Sequence, residues 1–173
     1  MKKIGALSDT HGHIDEKTLH FLKETDEVWH AGDIGNPAVI TKLENLAPVR
    51  AVYGNIDGQQ IRSKWPLIQS FKCEGLQVTI THIGGKPGRY DRSILGHIQN
   101  TQPDVFVCGH SHILKIQHDP KHDMLFINPG AAGKTGFHQV RTAVRFNLDK
   151  GKISNMEVHE VNPRRSGNPN VPR

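Results

Sequence analysis

Three short apolar runs, "KIGALSD", "EVWHAGD" and "VRAVYGN", alternate with two segments of helical spacing across residues 3–55, and this alternation limits the chain more than any other feature. In "DEKTLHFLKET", Leu19 and Leu22 stand three apart beside Phe21, as on one face of a helix. In "PAVITKLENL", Pro37 suits a first helical turn, where its missing N–H forfeits no intrahelical bond. Strands and helices in this order predict a parallel sheet with right-handed crossovers.

The pattern then changes. "LIQSFKCEG" and "LQVTITH" read as a hairpin about Glu74 and Gly75, "RYDRSILGHIQNTQ" as a helix stopped before Pro103, and "DVFVCGH" as another strand. "LKIQHD", "MLFIN", "TAVRFNLD" and "ISNMEVHEV" read mostly as strands parted by turns such as "DKGK". Strands outnumber helices in this half, so a second sheet is expected. With no internal repeat or linker on the way, residues 1–162 read as a single domain and 163–173, rich in Pro, Gly and Asn, as a disordered tail.

No window approaches the ~20 apolar residues of a spanning helix, and "MKKIGALSD" is too short in its apolar part for a secretory signal. A cytoplasmic protein with no membrane contact is expected. Cys73 and Cys108, the only cysteines, lie inside apolar runs, which suits a reducing compartment and leaves no thiolate zinc site. The formal charge of +5 is not clustered, and Arg164 and Arg165 fall in the tail. A mildly basic surface open to anionic substrates explains it more economically than a nucleic-acid patch.

Each apolar run finishes in a potential metal ligand: Asp9 and His11, Asp33, Asn55, His82, and His110 with His112. The carboxyl ends of parallel strands line one crevice, so these side chains can converge although far apart in sequence. Residues two apart in an extended chain point the same way, so Asp9/His11 and His110/His112 are each expected to face one site. Gly32, Gly54 and Gly109, each just before a ligand, are expected to let the chain turn sharply and approach an ion. Imidazoles, carboxylates and an amide without a thiolate suit borderline ions, Mn²⁺ first among them and Fe²⁺, Ni²⁺ and Zn²⁺ as well. Two such ions against two carboxylates leave a net positive charge for a phosphate ester. Ions roughly 3.5–4 Å apart can share a water whose pKa falls toward about 7, so that a bridging hydroxide attacks phosphorus without a protein nucleophile.

Asp-x-His at 9–11, Gly-Asp-x-x-Gly at 32–35, Gly-Asn-x-Asp at 54–57, a lone His82 and Gly-His-x-His at 109–112 resemble, in this order, the motifs of calcineurin-like metallophosphoesterases, in their small prokaryotic phosphodiesterase branch. "NPGAAG" at 128–133 resembles that family's Asn-Pro-Gly-Ser loop with Ala131 in place of serine. The resemblance implies a four-layer α/β/β/α sandwich of two mixed β-sheets with a dinuclear metal centre, acting as a phosphodiesterase on a small phosphate ester. It implies one metal on Asp9, His11, Asp33 and His112, a second on Asp33, Asn55, His82 and His110, and Asp33 bridging. Asp33, Asn55, Asp57 and His82 are then the candidate catalytic residues, Asp57 either orienting Asn55 or capping a turn. Asn55, Lys86 and Arg89 are candidates for substrate contact. Self-association is common among relatives of this kind, but no unpaired apolar stripe specifies an interface.

One position departs from the pattern. Many members follow Gly-Asn with a histidine that protonates the leaving group, and Ile56 cannot carry a proton. Esters whose leaving group departs unprotonated, such as aryl phosphodiesters, are the expected substrates. A non-catalytic scaffold like the vacuolar sorting subunit of this fold, and a nuclease or nucleic-acid binder, stay open beside the enzyme. His13, His20, His30, His97, His118, His122, His138 and His159 read as surface or satisfied core residues, and Cys108 as a small buried one. "AAGKTG" imitates a phosphate-binding loop, but Asn128 stands where that motif needs glycine and no helix is expected after it.

Overall fold

The computed structural model describes residues 1–162, so the expected tail lies outside the described residues. The elements in chain order are β1 (Lys2–Leu7), α1 (Glu16–Leu22), β2 (Glu27–His30), α2 (Pro37–Glu44), β3 (Val49–Ala51), α3 (Gln59–Arg62), β4 (Ile68–Cys73) and β5 (Leu76–Thr81). There follow β6 (Gly85–Lys86), β7 (Arg89–Tyr90), α4 (Arg92–Thr101), β8 (Val105–Val107), β9 (Leu114–Asp119), β10 (Met124–Pro129), β11 (Arg141–Asp149) and β12 (Lys152–Val161). The first sheet runs β12-β11-β1-β2-β3 and the second β4-β5-β8-β10-β9, with β6 and β7 a separate small hairpin. Strands β1, β2 and β3 are parallel as the opening pattern predicts, while β11 pairs antiparallel with β1 and β12 antiparallel with β11. In the second sheet β5, β8 and β10 are parallel and β4 and β9 are antiparallel edges.

Alternation along the strands sorts side chains between two faces. Ile4, Ala6 and Trp29 of the first sheet meet Val78, Ile80, Val105, Val107 and Ile127 of the second in a core between the sheets. The other face of the first sheet, with Leu7, Val28 and Ala51, is covered by Leu22 of α1 and by Val39, Ile40 and Leu43 of α2. Phe106 and Phe126 on the outer face of the second sheet are covered by Ile94 and Ile98 of α4. Each such side chain, fully buried, is worth about 1.5–3 kcal/mol. The result is the expected four-layer α/β/β/α arrangement.

Local chemistry sets the element ends. Asp15, Asn36 and Asp91 cap α1, α2 and α4 by accepting from the N–H groups of Thr18, Ala38 and Ser93. The β4–β5 hairpin turns at Glu74 and Gly75, whose φ values of 48° and 85° fit a primed two-residue turn. The one-turn helix α3 and the hairpin β6–β7 were not anticipated from periodicity, because neither is long enough to show a period. No helix among the described residues is long and apolar enough to cross a membrane.

Candidate metal centre

The strands stop before their ligands. β1 ends at Leu7, β2 at His30 and β8 at Val107, and Asp9, His11, Asp33, His110 and His112 follow in loops with φ between 46° and 70°. The expectation that each pair lies in extended chain is therefore corrected: these residues are left-handed, a conformation costing non-glycine residues of order 1 kcal/mol or more. The loops are held there by one another. The N–H of Asp9 donates to Gly32 O at 3.0 Å, that of His11 to Asp33 O at 3.0 Å, that of Gly109 to His82 O at 3.0 Å and that of Gly133 to Asp9 O at 3.0 Å.

The glycines serve a purpose other than the one expected for two of the three. Gly32 does turn with positive φ. Gly54 and Gly109 do not; a Cβ at Gly54 would overlap the Asp33 carboxylate, and one at Gly109 would overlap Ser8 Oγ and sit 2.7 Å from Asp9 Oδ2. Their role is close approach.

Two groups of ligand atoms result, each with all members within 4.8 Å of one another: Asp9, His11 and His112, and Asp33, His82 and His110. Asn55 joins the second, its Oδ1 lying 3.1 Å from His110 Nδ1. Asp33 Oδ2 stands between the groups, 3.5 Å from His11 Nε2 and 3.2 Å from His82 Nε2, while its Oδ1 accepts from the Ile56 N–H. His110 and His112 thus serve different groups, whereas Asp9 and His11 share one. Asp9 Oδ1 lies 3.1 Å from His112 Nε2 and 3.7 Å from His11 Nε2, and its Oδ2 accepts from the His110 N–H.

Asp9 Oδ1, His11 Nε2 and His82 Nε2 are buried without any hydrogen-bond partner. Unsatisfied polar atoms of this kind are expensive, and three converging at one place fit divalent cations. Burial works to raise the Asp9 carboxyl, yet contact with His112 and the charge of His82 hold it below its ordinary range. Asp33 is likewise lowered, burial being outweighed by contact with His82. Contact with Asp9 raises His112, and His82 is raised because Asp33 outweighs its burial. The pocket favours positive charge.

Ligand orientation is set one layer further out. His82 Nδ1 donates to Ala31 O at 2.8 Å, which leaves Nε2 as the free lone pair. His112 does the same through a second imidazole: His138 Nε2 donates to Gly133 O at 2.7 Å, so His138 Nδ1 accepts from His112 Nδ1–H at 3.1 Å. His138, read as surface or satisfied core, is half-buried with both ring nitrogens bonded; its contact with His112 was not foreseen, because it lies in a glycine-rich loop with no period to mark it. Gly136 lets that loop close, since a side chain there would overlap the His112 ring. His30 is a satisfied core residue as expected, donating to Thr10 Oγ1 at 2.9 Å and accepting from the Gly32 N–H at 3.1 Å.

Asp57 is buried with both oxygens taken up by backbone N–H groups, those of Ile34 at 3.1 Å, Gly35 at 2.8 Å and Gly54 at 2.8 Å. It ties the Asp33 loop to the Asn55 loop. Lys86 and Arg89 are exposed on the β6–β7 hairpin and line a broad cleft with Ser111, the residue between the two histidines.

A family model for the calcineurin-like phosphoesterase superfamily domain matches residues 1–151. The chain belongs to that superfamily. It is 33% identical over 134 residues to a probable metallophosphoesterase of Methanothermobacter thermautotrophicus, covering 74% of this chain and 76% of the relative. It is 32% identical over 144 residues to a phosphodiesterase of Methanocaldococcus jannaschii, covering 74% of this chain and 82% of that one. Among solved structures, Chaetomium thermophilum Vps29 superposes with a TM-score of 0.74 at 17% identity, over 93% of this phosphoesterase-family chain and 97% of Vps29, which is a likeness of fold.

Proposed function

We propose that the protein is a dinuclear metal-dependent phosphodiesterase acting on small phosphate esters. The observation that carries this reading is Asp33 Oδ2, which lies 3.5 Å from His11 Nε2 and 3.2 Å from His82 Nε2, so that one carboxylate oxygen would serve both ligand groups. Asp9, His11, Asp33 and His112 would hold one ion, and Asp33, Asn55, His82 and His110 the other, Mn²⁺ being the first expectation for these donors. When bound, two divalent cations supply a water made acidic near neutral pH and charge for the phosphoryl oxygens. The chain's own part is to hold its imidazoles with Nε2 free, through Ala31 O for His82 and His138 for His112. Lys86 and Arg89, on the cleft that reaches Ser111, would receive the anionic parts of the substrate.

Ile56 is 48% exposed beside Asn55 and offers no proton, which favours esters whose leaving group departs as a stable anion. The same substitution, with the Vps29-like fold, supports a second reading as a non-catalytic scaffold. Elemental analysis of the purified protein, with turnover of bis(p-nitrophenyl) phosphate across added ions, separates them. Two equivalents of metal and Mn²⁺-dependent turnover abolished in Asp33→Asn are expected. Metal uptake without turnover would leave the scaffold; no uptake at all would refute both the centre and the enzyme.

A further inference from the structure

Beside the second ligand group lies a cavity of about 250 Å³ that shares Asn55 and His82 with it. Its apolar walls are Tyr53, Leu67, Ile68, Ile83 and Ile94, with Thr81 and Ser93 the polar side chains between them. Ile94 is 1% exposed and belongs to the core under α4, whereas Leu67 is 52% exposed, so the cavity is closed by packed core at one side and by an open apolar rim at the other. Arg62 fixes it in place. Its guanidinium lies 4.6 Å from the Tyr53 ring centroid, and Nη2 donates to Asn55 O at 3.3 Å, so the aromatic wall and the ligand loop are bound to one another. Tyr53 is further tied by its N–H to Pro66 O at 3.0 Å.

An apolar cavity opening on a polar centre accepts a ligand that is itself divided in that way. A cavity of about 150 Å³ already holds a benzene ring, so this one has room for an aryl group attached to a phosphorus held at the ligand atoms. We infer that it is a subsite for an aryl substituent of the phosphoryl substrate, with Tyr53, Leu67 and Ile83 as specificity-determining residues. The inference rests on the proposed metal centre and adds to it the place where an aryl group sits and the residues that select it. Ile83 follows His82 directly in the chain, so the apolar wall and the ligand are set by the same turn.

Calorimetric titration of the Mn²⁺-loaded protein with phenylphosphonate and with methylphosphonate tests this without turnover. Both carry the same anionic head, and only the phenyl group can fill the cavity. Phenylphosphonate is expected to bind at least about ten-fold tighter, in keeping with burial of one ring, and the ratio should fall toward one in Leu67→Gln, a change at the exposed rim. Equal affinities in the parent protein would overturn the subsite while leaving the metal centre standing. A preference that survives unchanged in both Leu67→Gln and Ile83→Asn would also overturn it. Failure of both phosphonates to bind would overturn the metal-centre reading, and the subsite with it.

Discussion

Replacing Asp57 should destabilise the protein by an amount its three hydrogen bonds allow to be worked out. Asp57 Oδ2 accepts from Ile34 and Gly54, and Oδ1 from Gly35. In Asp57→Ala all three donors lose their partner, two of them in a buried setting. At about 1–3 kcal/mol for each buried orphan, and less for Gly35 where water can enter, the loss comes to roughly 3–5 kcal/mol. In Asp57→Asn the amide oxygen can keep the Ile34 and Gly54 bonds, but the amide NH₂ then faces the Gly35 N–H, donor against donor. One bond is lost and about 1–2 kcal/mol with it. For a chain of this length a loss near 4 kcal/mol lowers Tm by roughly 8–16 °C. Urea and thermal unfolding, with a chelator present so that metal affinity does not enter, measure both variants. Alanine and asparagine giving equal losses, or alanine losing under 1 kcal/mol, would refute the reasoning that this carboxylate holds the two loops together.

Burial holds His30 down to about 4 from the ordinary 6.5, and protonation would set its Nδ1–H against the Gly32 N–H. Its neutral form contributes stability that is complete above pH 6.5 and is lost as pH falls toward 4, up to about 3 kcal/mol. His82 and His112 are raised, so their contribution is complete below 6.5 and is lost as pH rises through their folded values. Urea unfolding of the chelated protein should therefore give greatest stability near pH 6.5, with a shallower acid limb in His30→Gln; an unchanged acid limb would count against His30. His138→Phe keeps a ring of similar shape but no acceptor for His112 Nδ1–H, so metal affinity measured by chelator competition should drop about 10–100-fold. Undiminished affinity would show that the His112–His138 contact does not orient the ligand.

The strands and layers were legible because burial on two faces imposes period two, as in β8, where Val105 and Val107 face one core and Phe106 the other. The gathering of ligands was legible for a related reason: each stands just past a parallel strand, and parallel strands share one carboxyl edge. Which group each joins was not visible in spacing, because the left-handed turns at Asp9, His11, His110 and His112 are set by hydrogen bonds between loops distant in the chain. His138 and the three partners of Asp57 escaped for the same reason. A side chain bonded to another segment leaves no periodic trace in its own.

Each ligand group draws on both sheets: Asp9 and His11 follow β1 while His112 follows β8, and Asp33 follows β2 while His82 and His110 follow β5 and β8. The apolar layer between the sheets therefore acts as a spacer gauge for the centre. Trimming Trp29 or Val107, whose side chains lie in the core between the sheets, would let one half of the clasp drift from the other. Distances among the candidate ligand atoms are in this way calibrated by hydrocarbon packing, and the oil-filled interior is as much a part of the candidate centre as the imidazoles at its lip.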